Sequence, residues 1–87
     1  MPEVTVYSTG MCPYCVRARQ LLERKGVHYT EHRVDEQPHL RHEMESKSRR
    51  RSVPQIFIND LHVGGFDELA QLDRNGQLEA LLQGSTV

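Results

Sequence analysis

The chain predicts an α/β fold: a four-stranded mixed sheet with helices on both faces. Three observations point to it. A short β-branched strand is followed by a helical pattern and a second strand, which is a βαβ opening. Two apolar runs, Gln55–Ile58 and Leu61–Val63, flank Asn59-Asp60, which is a hairpin signal. Two short helical stretches then close the chain. The expected order is β-α-β-α-β-β-α-α.

The first strand is Val4-Thr5-Val6-Tyr7. Ser8 to Met11 is a loop. From Pro13 to Lys25 the pattern is helical, with Ala18, Leu21 and Leu22 on one side and Arg17, Arg19, Gln20, Glu23 and Arg24 on the other. Pro13 suits a first helical turn, where its missing N–H costs nothing. Gly26 suits the position just past a helix end. Val27 to Val34 reads as a second strand with weaker alternation. Pro38 to about Ser48 reads as a polar helix with one apolar pair, Leu40 and Met44. Asn and Asp tolerate the positive φ that a tight turn at Asn59-Asp60 requires. After Gly64-Gly65, Phe66, Leu69 and Ala70 mark one face of a helix that Asn75-Gly76 ends. A last helix carries Leu78, Leu81 and Leu82, and Gly84 to Val87 reads as a frayed tail. In a βαβ unit the first two strands are parallel.

With 87 residues, 37% hydrophobic and 26% charged, the composition fits a globular chain. The reading is a single domain over 1–87 with an ordered core of about 3–83. A net charge of −1 gives no general attraction to nucleic acid or membrane. The N-terminus has neither the basic nor the apolar region of a signal peptide, so the expected location is cytoplasmic. No surface suggests an oligomer, and a monomer is expected.

Cys12-Pro13-Tyr14-Cys15 holds both cysteines of the chain. In a reducing compartment such a spacing points to redox catalysis or metal binding rather than a structural disulfide. Residues i and i+3 of a first helical turn share a face, with Cα atoms about 5 to 5.5 Å apart, inside the range of roughly 4.4–6.8 Å that a disulfide spans. Cys12 lies nearest the free N–H groups and positive end of the helix, which favour a thiolate. Cys12 is the expected nucleophile. Cys15, one turn further in, is expected to be buried, protonated and resolving. A zinc site needs four ligands, and there is no second cysteine pair. His28 and His32 are four apart on a strand reading, and His39 and His42 could chelate only weakly. The histidines, with His62, are read as solvated surface residues, and no metal is expected.

Cys12-Pro13-Tyr14-Cys15 after a strand, Ser52-Val53-Pro54 before the third strand, and Gly64-Gly65-Phe66-Asp67 after the fourth resemble the glutaredoxins together, and most of all their small bacterial dithiol type. The likeness runs from Val4 to about Leu82. It implies a thioredoxin-like fold and a glutathione-dependent thiol-disulfide oxidoreductase. Glutathione would be a co-substrate, with no tightly bound cofactor. Pro13 and Tyr14 would form the active-site loop. Pro54 would be a cis-proline facing the cysteines, and Val53 would pair through its backbone with the cysteinyl part of glutathione. The Gly65-Phe66-Asp67 turn would hold the γ-glutamyl carboxylate on the Phe66 and Asp67 amides, since helix N-termini bind anions. The Asp67 side chain would meet the glutamyl ammonium, or serve only as a cap. Arg50, two places before Ser52, would reach the glycyl carboxylate.

The chain departs from the family pattern at Thr9, where many relatives have lysine, and at Arg49, where glycine is common. Phe66 stands where some relatives have a further cysteine. The resemblance implies glutathionylated or disulfide-containing protein partners, such as a ribonucleotide reductase. Two rivals are a redoxin served by thioredoxin reductase and a [2Fe–2S] carrier built from two chains and two glutathiones. Arg50 and Gly65-Phe66-Asp67 argue against the first, and the rigid Pro13 against the second. An RNA-binding role for Arg49-Arg50-Arg51 lacks a basic face and exposed aromatics to support it.

Overall fold

The structure, a computed structural model, describes residues 2–83. Its elements are β1 (Val4–Ser8), α1 (Pro13–Arg24), β2 (Thr30–Arg33), α2 (Pro38–Ser48), β3 (Gln55–Ile58), β4 (Leu61–Gly64), α3 (Phe66–Arg74) and α4 (Gln77–Leu82). The order matches the expected β-α-β-α-β-β-α-α. The tail from Gly84 lies outside the described residues.

The four strands form one sheet in the order β2-β1-β3-β4. β1 pairs parallel with β2 and antiparallel with β3, and β3 pairs antiparallel with β4. Alternation along β1 and β3 divides the core between two faces. Val4, Val6, Ile56 and Ile58 pack with Ala18, Leu21 and Leu22 of α1, Leu69 of α3 and Leu78 of α4. Tyr7 and Phe57 point the other way, against Leu40 and Met44 of α2 and Val34. The apolar pair of the polar helix is thus what docks it.

The second strand is shorter than expected. Val27 is taken up by the end of α1: its N–H bonds the Leu22 carbonyl at 3.1 Å, and the Gly26 N–H bonds Glu23 at 3.0 Å. With Gly26 at φ 71, this is a Schellman closure. Val27 therefore packs on the core from a turn, and pairing with β1 begins only at Thr5 and Thr30. His28 accordingly lies outside the strand. At the hairpin Asn59 takes φ 53. Its side chain accepts from the Glu3 N–H at 2.9 Å, tying the turn to the start of β1.

No helix among the described residues is long and apolar enough to cross a membrane.

Candidate functional site

The site forms where β1 ends, β3 begins and α1 and α3 both start. Cys12 is the N-cap of α1, in extended conformation, and Pro13 takes the first helical position. The Cys12 sulfur accepts the Cys15 N–H at 3.1 Å, so it occupies the place of a capping oxygen. Both cysteines are free thiols; Cys12 is partly exposed and Cys15 fully buried. Burial, with a further contribution from Cys12, pushes the Cys15 thiol up to about 12. The geometry thus divides the pair into one partly exposed and one buried cysteine.

Val53 and Pro54 are joined by a cis peptide bond. The Cys12 thiol points at the Val53 carbonyl, 3.8 Å away. Beside this contact lies an open groove of about 300 Å³. Arg50, Ser52, Val53 and Pro54 form one wall, and Gly65, Phe66 and Asp67 the other. Tyr14, half exposed, lines the same groove, with its ring 6.4 Å from that of Phe66 and under the Arg17 guanidinium at 5.6 Å. The fold thus brings Tyr14, Arg50, Ser52, Val53, Pro54, Gly65, Phe66 and Asp67 around one groove, with Cys12 against its Val53 wall and Pro13 outside its lining. A larger cavity of about 790 Å³, near Pro2, Lys25, Val27 and Leu82, includes neither cysteine among its lining residues.

Three details differ from expectation. Arg50 is engaged already: its Nη1 lies 3.0 Å from Glu68 Oε1, in a half-exposed pair. The capping role considered for Asp67 belongs to Glu68. Gly65 is the N-cap of α3 and Asp67 only its second residue. The Glu68 carboxylate reaches back to the Gly65 N–H at 2.7 Å. Those two contacts, the amide first, hold the Glu68 carboxyl below its ordinary value. Lastly, His62 is not a solvated residue. It stacks on Phe57 at 4.9 Å and its Nε2 lies 2.7 Å from Gln55 Oε1. His32 is also partly covered, 5.2 Å from the Tyr7 ring.

Gln55 and Glu68 are the groove residues that sequence reasoning missed. The Gln55 side chain is almost wholly buried. Its amide donates to the Ser52 carbonyl at 2.9 Å and to Ser52 Oγ at 3.3 Å, which clamps the Ser52–Pro54 loop from below. Because the amide nitrogen must face that carbonyl, its oxygen faces His62, and His62 carries a proton on Nε2. A polar residue opening an otherwise apolar strand was the available signal. Arg49 takes φ 61, the left-handed conformation in which glycine is common. Ser48 Oγ, accepting from the Arg50 N–H at 3.0 Å, shapes the same turn. Among the described residues no three His, Cys, Asp or Glu side chains are grouped to hold a metal ion.

A thioredoxin-like fold with a partly exposed thiol capping a helix, a buried thiol one turn on and a cis-proline loop opposite defines a thiol-disulfide oxidoreductase. The glutaredoxin family profile matches residues 4–63. The chain is 52% identical over 82 residues to a glutaredoxin of Pseudomonas aeruginosa, covering 94% of this chain and 98% of that protein. It is 46% identical over 83 residues to glutaredoxin 3 of Escherichia coli K12, covering 95% and 100%. Among solved structures, that of glutaredoxin from Brucella melitensis superposes with a TM-score of 0.84 at 43% identity, over 100% of this chain and 96% of that one. A buckwheat glutaredoxin–glutathione complex gives 0.87 at 27% identity, over 95% and 78%. The chain belongs to the glutaredoxin family, whose members are glutathione-dependent disulfide oxidoreductases.

Proposed function

We propose that this protein reduces protein–glutathione mixed disulfides through Cys12 alone, and protein disulfides through Cys12 and Cys15 together, with glutathione as the reductant. The observation that carries the reading is the Cys12 sulfur beside the Val53 carbonyl at the mouth of the groove. In the first route the Cys12 thiolate attacks the glutathione sulfur of the mixed disulfide. The protein leaves as a thiol, and a second glutathione attacks the glutathione sulfur on Cys12, releasing glutathione disulfide and the Cys12 thiolate. In the second route Cys12 attacks a protein disulfide and Cys15 resolves the adduct, leaving Cys12–Cys15 for two glutathiones to reduce.

Glutathione lies in the groove with its cysteinyl backbone along Val53, one residue of strand addition. Its γ-glutamyl carboxylate takes the Phe66 and Asp67 amides, which as first-turn groups have no acceptor within α3. The Asp67 carboxylate faces the glutamyl ammonium. Arg50 meets the glycyl carboxylate through N–H groups that Glu68 leaves free, and a half-exposed ion pair yields at little cost. Tyr14 packs beside the reacting sulfurs. Residues 1–87 act as one domain and as a monomer in the cytoplasm, on glutathionylated or disulfide-bonded proteins.

The test separates the two cysteines. Cys12→Ser abolishes reduction of a glutathionylated protein. Cys15→Ser retains that activity and loses reduction of protein disulfides. Undiminished deglutathionylation by the Cys12→Ser protein overturns the assignment.

A further inference from the structure

The two-cysteine route requires Cys15 as a thiolate, yet the residue is fully buried and burial opposes the charge. Two groups act the other way: the Thr9 backbone N–H and the Arg19 guanidinium. Arg19 lies four residues beyond Cys15 on α1, one turn away on the same side of the helix. Its position is fixed. Nη1 sits 2.7 Å from Glu31 Oε2 on β2, and the same oxygen accepts from Ser8 Oγ at 2.5 Å. Ser8 is itself fully buried at the end of β1, next to Thr9. With its side chain only 23% exposed, Arg19 acts through protein more than through water.

We propose that Arg19, anchored by Glu31, is the cation that supports the Cys15 thiolate as it resolves an adduct on Cys12, and that Glu31 tempers how much of that charge Cys15 feels. The proposal rests on the two-cysteine reading above. The groups that act on Cys15 are Cys12 at the helix cap, Arg19 on α1, Glu31 on β2 through Arg19, and the Thr9 amide. Cys12 and Arg19 pull in opposite directions. A free Cys12 sulfur raises Cys15 by hydrogen bond and by like charge. Once Cys12 is joined to another sulfur it bears no charge, and Arg19 and the Thr9 amide have only burial left to work against. Cys15 therefore ionises more readily in the adduct than beside a free Cys12.

The step balances as an exchange. The Cys15 thiolate, its proton given to solvent, attacks Cys12 Sγ of the glutathione adduct. The Cys12–glutathione bond breaks, the Cys12–Cys15 bond forms, and glutathione leaves as a thiolate that takes a proton from water. Arg19 is a positioning residue here, since it touches neither reacting sulfur's partner nor the substrate.

The experiment loads Cys12 with glutathione, using glutathione disulfide, and follows glutathione release on closure of Cys12–Cys15 from neutral to alkaline pH. Arg19→Met slows closure roughly tenfold at neutral pH and moves the profile to higher pH with the same alkaline plateau, as expected for a lost cation near a titrating thiol. Arg19→Lys keeps the charge and restores most of the rate, and Glu31→Gln speeds closure. An unchanged Arg19→Met profile overturns the proposal, as does a slowing by one factor at every pH or a failure of lysine to rescue. Cys12→Ser run in parallel separates the readings. If Cys12 is essential and Arg19→Met closes normally, only the role of Arg19 fails; if Cys12 is dispensable, the proposed function fails with it.

Discussion

Helices α1 and α3 both begin at the groove, and each must satisfy first-turn N–H groups that no helical carbonyl can reach. They use different atoms. At α1 a sulfur in the chain itself, Cys12, accepts from the Cys15 amide. At α3 the cap is Gly65, which has no side chain, and the Glu68 carboxylate reaches back from inside the helix. The first arrangement fixes a soft nucleophile against amide dipoles. The second leaves the Phe66 and Asp67 amides open beside an ion pair that can exchange. In the function proposed above, one helix start serves bond exchange and the other holds an anion, although their backbone problem is the same.

The largest effect that sharpens this contrast comes from Cys12→Ser. Serine is a preferred capping residue, so the thermal midpoint stays within a degree or two while thiol exchange is lost; calorimetry and an activity assay on one sample check both. Acid and alkali should then attack the two helix starts separately. Cys15 is raised from 9.0 to about 12, so its contribution is whole below 9.0 and erodes as pH climbs toward about 12. The reduced protein loses stability steadily through that window. Tyr7 and Tyr29 are also raised and titrate in either redox form. The difference in slope between reduced and Cys12–Cys15 protein in urea melts isolates the cysteine pair from the tyrosines. Glu68 is lowered, so its support for α3 is present above the ordinary carboxylate range and is lost as pH falls through its folded value. A Glu68→Gln protein, also melted in urea, shows a shallower acid decline.

Next in size is Gln55→Leu. It strands the Ser52 carbonyl under the groove and costs about 1–3 kcal/mol. If the clamp positions Val53, KM for a glutathionylated peptide rises severalfold, while the rate of Cys12 alkylation stays put. Smaller still, Glu68→Ala removes one cap, at about 1 kcal/mol by denaturant unfolding. An equal alkylation loss in the Gln55 and Glu68 variants would erase the distinction between the two helix starts.

Much of this was legible because it is local. The α1 start is written in adjacent residues, Cys12-Pro13 followed by a periodic apolar face, and its end in Gly26. The Asn59 turn is local too. What was not legible depends on partners far away in the chain. Nothing near Glu68 says that Arg50, eighteen residues earlier, will share its carboxylate, and a lone glutamine opening β3 does not announce Ser52 and His62 as its partners. Val27 misled for the opposite reason. Its β-branched type favours a strand, but a helix closure claimed its N–H first. Tyr14, Arg50, Ser52, Val53, Pro54, Gly65, Phe66 and Asp67, carried over from the glutaredoxin likeness, line one groove, since motif spacing in a shared fold encodes the long-range placement that periodicity lacks.

Arg49 offers a route to a hardier protein. It is a residue with a full side chain held at φ 61, a conformation that costs roughly 1 kcal/mol relative to glycine. The loop behind the groove wall thus contains a thermostability margin that one replacement can recover. Arg49→Gly should raise the melting temperature by a few degrees, less the extra freedom that glycine gives the unfolded chain. Because Arg50 and the Ser48 bracket stay in place, the gain should come without a change in what the groove recognises.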